Sequence, residues 1–323
     1  MPSPIEKPLL TRLYDGWDSF ELESGSTYIH GRSVEARSIH PTAWEEAAND
    51  VTFVRFSSFE NTPSRDFSRC TAEMDGVTSA LQLRGGDQLR AFLSKIKSRV
   101  VYLDITGLPH HVWAPLLRAA IAIPKVVSVV YVEPRSYTFS PTPTEAEIFD
   151  LSEAIHGILP LPGFGILSEP EDEDLVLFVP LLGFEGHRFA YVLEQVQPPR
   201  RNIVPIIGVP GFMPEFPFHT YLGNRNILAH SDLHTQIRHT IANSAFGAFY
   251  LLQEIAADYP QHLLKIAPIG TKPHALGAIL FTLWSERAVE IVYDHPIRKP
   301  NRTIGSANIL VYEIGHFLSN SSN

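Results

Sequence analysis

The chain has 323 residues, of which 44% are hydrophobic and 19% charged, so it can bury a substantial core. Its formal net charge of -9 argues against general binding of duplex DNA, which requires clustered Lys and Arg. A local basic pocket for a small anionic ligand remains compatible with this charge. The single cysteine, Cys70, excludes an internal disulfide and any multi-cysteine metal site.

The N-terminal residues MPSPIEKPLL contain no long apolar segment, so we expect no signal peptide. No run of about 18 apolar residues occurs, which predicts that no segment spans a membrane. We therefore expect a soluble cytoplasmic protein that makes no membrane contact.

The first half of the chain alternates between predicted strands and helices. Residues 27–39 indicate one or two edge strands, and further strands are predicted at 51–56, 99–105 and 126–132. Helical spacing of apolar residues predicts helices at 87–96, 112–122 and 145–155. The two later strands are nearly continuous runs of apolar residues, which is typical of parallel sheets covered on both faces. Residues 137–144 and 168–174 are predicted to be exposed loops.

The alternation restarts in the second half. Strands are predicted at 175–182, 202–209, 263–269, 289–293 and 307–314, and helices at 187–196, 233–257 and 274–284. Strands that alternate with helices indicate an α/β fold built from βαβ units. We predict two tandem Rossmann-like, mostly parallel sheets with flanking helices. The first would cover residues 1–165, including an N-terminal extension, and the second residues 166–323.

Three pieces of the two halves match in the same order. The sequence GLPHHVWAPLL, from Gly107, aligns with GTKPHALGAIL, from Gly270. The pieces VVYVEP and EIVYDHP follow, and FVRFSSFE and FVPLLGFE precede them. This order predicts an internal duplication. The alternative is two unrelated Rossmann-like layers, which would leave the fold class unchanged.

Candidate ligand-binding residues lie in loops that lead from a strand into a helix. The free N–H groups and the dipole of a helix N-terminus attract anions, especially where glycine lets the backbone approach. In the second half, Lys272 and Arg188 add cations to such loops, and His274 adds a donor. The candidate contacts are Thr106, Gly107, Gly183, Gly186, Arg188, Gly270, Thr271, Lys272 and His274.

Several familiar cofactor motifs do not occur in the sequence. No GxGxxG follows a predicted strand, and no GxxxxGK[ST] is present, so we expect neither a conventional dinucleotide enzyme nor a P-loop ATPase. His230 and His234 have the i, i+4 spacing of a helical metal pair, but no HExxH motif surrounds them. We therefore predict no cofactor and no metal.

The segment IGTKPHALGA resembles the Gly-Thr-Lys signature of CARF domains, the Rossmann-like sensors of cyclic oligoadenylates in prokaryotic defence. The segment LDITGLPHHVW resembles the same strand and loop without the lysine. The resemblance implies that Gly270, Thr271 and Lys272 contact a ligand and that such domains pair about a two-fold axis. Ile269 stands where the family has the first of two glycines.

By this resemblance, the chain is expected to be a sensor or adaptor that binds a nucleotide or cyclic oligonucleotide. It would act with protein partners in an antiviral defence complex, without an effector domain of its own. An alternative is an enzyme that processes a nucleotide, in which Glu60 or Glu185 serves as general base or nucleophile. A third possibility is a ligand-free structural subunit. Of the three, we favour the non-enzymatic sensor.

Overall fold

The computed structural model describes residues 10–59, 66–144, 147–166, 172–230 and 233–321. The chain forms two compact units, one comprising Met1–Ser136 with Thr303–Asn323 and the other Tyr137–Arg302. The predicted boundary at 165/166 lies inside the second unit. It differs from the observed division because the chain returns to the first unit at Thr303, where its last strand joins that unit's sheet.

The first unit is built on one eight-stranded mixed sheet, with the strand order β1-β16-β7-β6-β2-β3-β4-β5. Its strands are β1 Thr11–Tyr14, β2 Thr27–Gly31, β3 Thr52–Phe59, β4 Asp66–Met74, β5 Val77–Gln82, β6 Val100–Asp104, β7 Val126–Tyr137 and β16 Thr303–Tyr312. Its helices are α1 Thr42–Ala47, α2 Asp87–Lys95, α3 His110–Ile121 and α8 Ile314–Ser321.

The centre of this sheet is parallel and its β4–β5 side is antiparallel. β2 pairs in parallel with both β3 and β6, and β6 pairs in parallel with β7. The hairpin of β4 and β5 adds antiparallel strands beside β3, and β1 pairs antiparallel with β16. The prediction of edge strands at 27–39 is wrong, because β2 lies in the middle of the sheet and all five of its residues are buried.

The second unit contains a six-stranded sheet, ordered β12-β11-β10-β13-β14-β9, and a small two-stranded sheet. Its strands are β8 Ser152–Ile155, β9 Leu159–Pro160, β10 Val176–Leu181, β11 Ile206–Gly208, β12 Arg238–Thr240, β13 Leu263–Pro268, β14 Val289–Tyr293 and β15 Pro296–Arg298. Its helices are α4 Gly186–Val196, α5 Phe216–His230, α6 Ala245–Asp258 and α7 Lys272–Trp284.

Five neighbouring strands of the larger sheet are parallel, and only β9 runs antiparallel. Numbered along the chain from β10, their order is 3-2-1-4-5, which is the order of the Rossmann half-fold. The two central strands, β10 and β13, are completely buried, as is typical of parallel strands covered on both faces. The α/β class and the Rossmann-like sheets predicted from the sequence are therefore confirmed.

Two predicted helices are wrong. Residues 152–155 of the predicted helix at 145–155 form β8, which pairs with β15, while 145–146 lie outside the described residues. The predicted helix at 233–257 is interrupted by β12, and α6 begins only after Ser244, whose hydroxyl accepts a hydrogen bond from the Gly247 amide. The sequence analysis also assigned no element to α5 or to the β4–β5 hairpin.

The two units share a four-strand order. β3-β2-β6-β7 in the first unit corresponds to β11-β10-β13-β14 in the second. Two of the aligned sequence pieces agree with this correspondence, because they place β6 on β13 and β7 on β14. The third piece does not, since it aligned β3 with β10, whereas the topology aligns β2 with β10. The shared order supports the duplication and corrects the third piece, because β2 and not β3 corresponds to β10.

None of the helices in the described part of the chain combines the length and the apolar character that crossing a membrane requires.

The close backbone contact between Gly107 and the end of β2 can be tested by substitution. A Cβ atom on Gly107 would lie 1.8 Å from the carbonyl oxygen of Gly31 at the end of β2. We expect Gly107→Ala to reduce the free energy of unfolding by about 3 kcal/mol, because backbone must shift to admit the methyl group. Urea denaturation followed by circular dichroism would measure the loss.

Gly76→Ala serves as the matched control, because a Cβ atom at Gly76 meets nothing within 4 Å. Its φ of 76° still costs about 1 kcal/mol for an alanine. Equal losses for the two variants would contradict the close contact between Gly107 and β2.

Candidate functional site

The candidate site of the second unit lies where the strand order reverses, between β10 and β13. In open α/β sheets, ligands bind outside the carboxyl ends of the strands at this switch point. The turns that follow β10 and β13 touch one another there. A Cβ atom on Gly183 would lie 3.1 Å from Cα of Gly270, and one on Gly270 would lie 2.4 Å from the Leu182 oxygen. Close backbone contact at the switch point therefore explains why glycine occupies both predicted positions.

Two other side chains of the predicted Gly-Thr-Lys turn hold a neighbouring loop. The Thr271 hydroxyl donates to the Ala242 oxygen at 2.7 Å and accepts from the His274 amide at 3.3 Å, so it caps α7. The His274 ring Nε2 lies 3.0 Å from the Ile241 oxygen. Thr271 and His274 thereby fix the loop that follows β12, and burial lowers the pKa of the His274 imidazole to about 4.

Lys272 is the first residue of α7 and is only 5% exposed. A solvated surface lysine, the simple alternative for this position, would have its side chain in water. Lys272 is instead buried, at the helix terminus next to the switch point. Pro273 follows it in the first turn, where the missing N–H of proline leaves no intrahelical hydrogen bond unmade.

Arg188 on α4 forms the most extensively bonded ion pair of this site. Its Nε and Nη2 atoms donate to the two oxygens of Asp294 at 2.8 and 2.7 Å, and Nη1 donates to the Ile269 oxygen at 3.1 Å. Asp294 follows β14 and is fully buried, while Arg188 is 7% exposed. Burial alone would lower the pKa of the Arg188 guanidinium, but the nearby Asp294 and Glu185 carboxylates raise it above its usual value.

Glu185, one of the two candidate catalytic carboxylates, is buried and hydrogen bonded. Its Oε1 accepts from the Leu151 amide and its Oε2 from the Ser152 hydroxyl, both at 2.9 Å. Oε2 also lies 3.8 Å from Nη1 of Arg188. This carboxylate anchors the start of β8 to the beginning of α4. Glu60, the other candidate, lies outside the described residues.

A cavity of about 310 Å³ opens at the beginning of α4. Gly186 lies on its wall, where a Cβ atom would be 1.8 Å from the Gly223 oxygen of α5. Gly186 therefore allows α4 and α5 to approach closely. The other lining residues are Thr144, Glu147, Phe149, Phe184, Glu185, His187, Ala190, Gly223, Asn226 and Ile227.

In the first unit, Thr106 and Gly107 occupy the equivalent turn after β6. The buried Thr106 hydroxyl accepts from the Val132 amide at 2.9 Å, and the Thr106 amide donates to Asp104 at 2.8 Å. Tyr28 on β2 donates its hydroxyl to the other oxygen of Asp104 at 3.0 Å. These bonds connect the carboxyl end of β6 to β2 and β7 within the unit.

The sequence analysis missed a second buried arginine, Arg37. Its Nε donates to Glu35 Oε2 at 2.8 Å, and its Nη1 donates to the Val132 oxygen. The guanidinium also lies over the Tyr131 ring, 5.2 Å from the centroid. The sequence signal for this pair is a glutamate followed by an arginine shortly after β2. Glu185 and Arg188 follow β10 in the same way in the second unit.

The structure gives no indication of metal or thiol chemistry among the described residues. Within those ranges, no group of three or more His, Cys, Asp and Glu side chains could hold a metal ion. α5 ends at His230, whereas His234 lies in a separate 3-10 turn. Cys70 is fully buried, and burial raises the pKa of its thiol to about 12, which disfavours the nucleophilic thiolate.

No family model matches the sequence, and a search of curated proteins gives no match either.

The Arg188–Asp294 pair can be tested by removing its charges one at a time. Arg188→Met leaves Asp294 buried without its counter-charge, so we expect the free energy of unfolding to fall by about 3–5 kcal/mol. Adding Asp294→Asn should restore a large part of that loss, because the orphaned charge is then gone. Chemical denaturation of the single and double variants measures both effects.

Arg201→Met is the control, since it removes an arginine whose ion pair with Asp174 lies on the surface. We expect it to change the free energy of unfolding by less than about 1 kcal/mol. An Arg188→Met variant as stable as Arg201→Met would rule out a structural role for the buried pair.

The buried histidines predict a loss of stability in mild acid. Burial lowers the pKa of His274 and His295 to about 4, below the value of about 6.5 in an unfolded chain. The unfolded state therefore binds more protons between these values. The contribution of the two neutral histidines to the free energy of unfolding is complete above pH 6.5. It is lost as the pH falls toward 4, by up to about 1.4 kcal/mol per pH unit for each histidine.

His274→Gln should make this dependence shallower by the contribution of one histidine. The control is His316→Gln, which removes a histidine from an exposed position. Urea denaturation at several pH values between 4 and 7 gives the slopes. An unchanged slope for His274→Gln would contradict the lowered pKa.

Proposed function

We propose that this chain is a non-enzymatic nucleotide-sensing or adaptor protein that acts in the cytoplasm as part of a prokaryotic defence system. Its second unit would bind an anionic, nucleotide-type ligand at the switch point between β10 and β13. The single observation that carries this proposal is the position of Lys272, a buried cation at the first residue of α7 beside the Gly183–Gly270 contact.

The geometry of Glu185 favours a structural role for this carboxylate. Glu185 accepts hydrogen bonds from Leu151 and Ser152 and lies near Arg188, so its oxygens are already occupied. A general base needs an oxygen directed at the substrate proton. The resemblance of the Gly-Thr-Lys turn to CARF domains supplies the ligand class, a cyclic oligoadenylate.

A ligand-free structural subunit is the second candidate function. It is favoured by the bonds that Thr271, His274 and Arg188 make to carbonyl groups of their own unit. Those bonds give the three side chains a role within the unit that needs no ligand. Mass spectrometry of the denatured, purified protein would separate the two candidates, since a co-purified nucleotide is expected only for a sensor.

Lys272→Ala tests the proposed ligand site directly. We expect the affinity for the best-binding cyclic oligoadenylate of a panel to fall at least about tenfold, because a charge-assisted hydrogen bond of about 1.5–3 kcal/mol is lost. Isothermal titration calorimetry measures this change, with ATP as a comparison ligand.

Lys95→Ala is the matched control, because it removes the same charge from an exposed position at the end of α2. Its affinity should equal that of the unmodified protein. Binding that survives Lys272→Ala unchanged, or the absence of any heat with the whole panel, would favour the structural subunit.

A further inference from the structure

A second cavity, of about 470 Å³, lies in the first unit between residues 17–24 and α1. Its volume is within the range of small-molecule sites. Trp17 and Trp44 line it, together with Phe20 and small residues of α1. It involves none of the residues of the proposed nucleotide site.

The aromatic walls of this cavity are held in fixed orientations. The rings of Trp17 and Trp44 have centroids 4.8 Å apart and are inclined at 61°, and Phe20 stacks on Trp44 with centroids at 5.6 Å. The Trp44 indole donates to the Phe20 oxygen at 2.6 Å, which fixes its position. Tryptophan rings attract cations to their electron-rich faces, and both of these tryptophans line the cavity.

The charge of the cavity has one sign. Asp18 and Glu21 are the ionisable side chains among its lining residues, and no Lys, Arg or His lines it. Both carboxylates are exposed. In the part of the chain that the structure describes, neither takes part in a hydrogen bond or ion pair of its side chain. An anion would therefore be repelled here, whereas a cation would meet two carboxylates that no basic residue of the cavity neutralises.

We infer that this cavity binds a small organic cation of the quaternary or alkylated ammonium class. The alkyl groups would contact the rings of Trp17 and Trp44, and Asp18 and Glu21 would balance the charge. A weakly hydrated ammonium ion fits both features, since it combines apolar surface with positive charge. A compact, strongly hydrated cation such as a metal ion would gain little from the aromatic walls.

Tryptophan fluorescence offers a direct measurement, because Trp17 and Trp44 are two of the four tryptophans in the chain. Of the others, Trp113 is fully buried in α3. We expect choline to change the emission in a saturable way. Its neutral isostere, 3,3-dimethylbutan-1-ol, should bind at least about tenfold more weakly, because it has the same shape without the charge. Trimethyl-lysine amide, titrated in parallel, distinguishes a free metabolite from a modified side chain as the source of the ammonium group.

The combined variant Asp18→Asn, Glu21→Gln should weaken choline binding at least about fivefold, and the difference should shrink at high salt. Its control is Asp15→Asn, Glu23→Gln, which removes the same charge from exposed positions of the same segment that do not line the cavity. That control should retain the choline affinity within about twofold. All four positions are exposed, so neither combination removes a core contact.

Three results would overturn this inference. The first is the absence of saturable binding by choline and by trimethyl-lysine amide, measured by fluorescence and confirmed by calorimetry. The second is equal binding of choline and its neutral isostere, which would indicate a merely apolar cavity. The third is an equal loss for the two double variants, which would indicate an effect of net charge alone.

Discussion

The buried pair of Arg188 and Asp294 is the interaction on which the second unit's candidate site depends. A buried charge is tolerated only when it is paired and hydrogen bonded. Arg188 meets this requirement by joining three places: α4, on which it lies, the end of β14 through Asp294, and the turn after β13 through the Ile269 oxygen. The position of one guanidinium therefore fixes the start of α4 relative to the switch point.

This arrangement determines how the site can attract an anion. The sequence offered two cations, Arg188 and Lys272, for a ligand. In the structure, the charge of Arg188 is balanced by Asp294, and Glu185 lies nearby. Arg188 is therefore not free to attract an anion, and the amides at the start of α7 would supply attraction there. A ligand would then be recognised chiefly by one turn, whose shape depends on Thr271 and His274 holding the loop after β12.

Sequence patterns identified the elements whose signals are local. The strands β6, β7, β13 and β14 are rich in apolar residues, and the glycine turns after β6 and β13 mark the following helices. Features that depend on distant residues were not predictable. β12 interrupts a helical pattern because it pairs with β11, and β2 is central because β3 and β6 flank it. Arg188 and Asp294 are 106 residues apart, so no local spacing relates them.

The correspondence of the units explains why the sequence repeat was only partly correct. After β2 the chain reads GRSVEAR, and after β10 it reads GFEGHR, so each strand is followed by a glycine, a glutamate and an arginine at different spacings. In both units the arginine is buried, lies close to that glutamate and donates to a backbone carbonyl, which belongs to Val132 within β7 in the first unit and to Ile269 just after β13 in the second. An ungapped comparison aligns apolar strands and cannot detect a group whose spacing has changed. The units thus share a buried arginine that follows the strand β2 or β10, whereas the Gly-Thr-Lys turn occurs in one unit only. Ligand binding at that turn would therefore be a property of the second unit, added to a framework that both units use for stability.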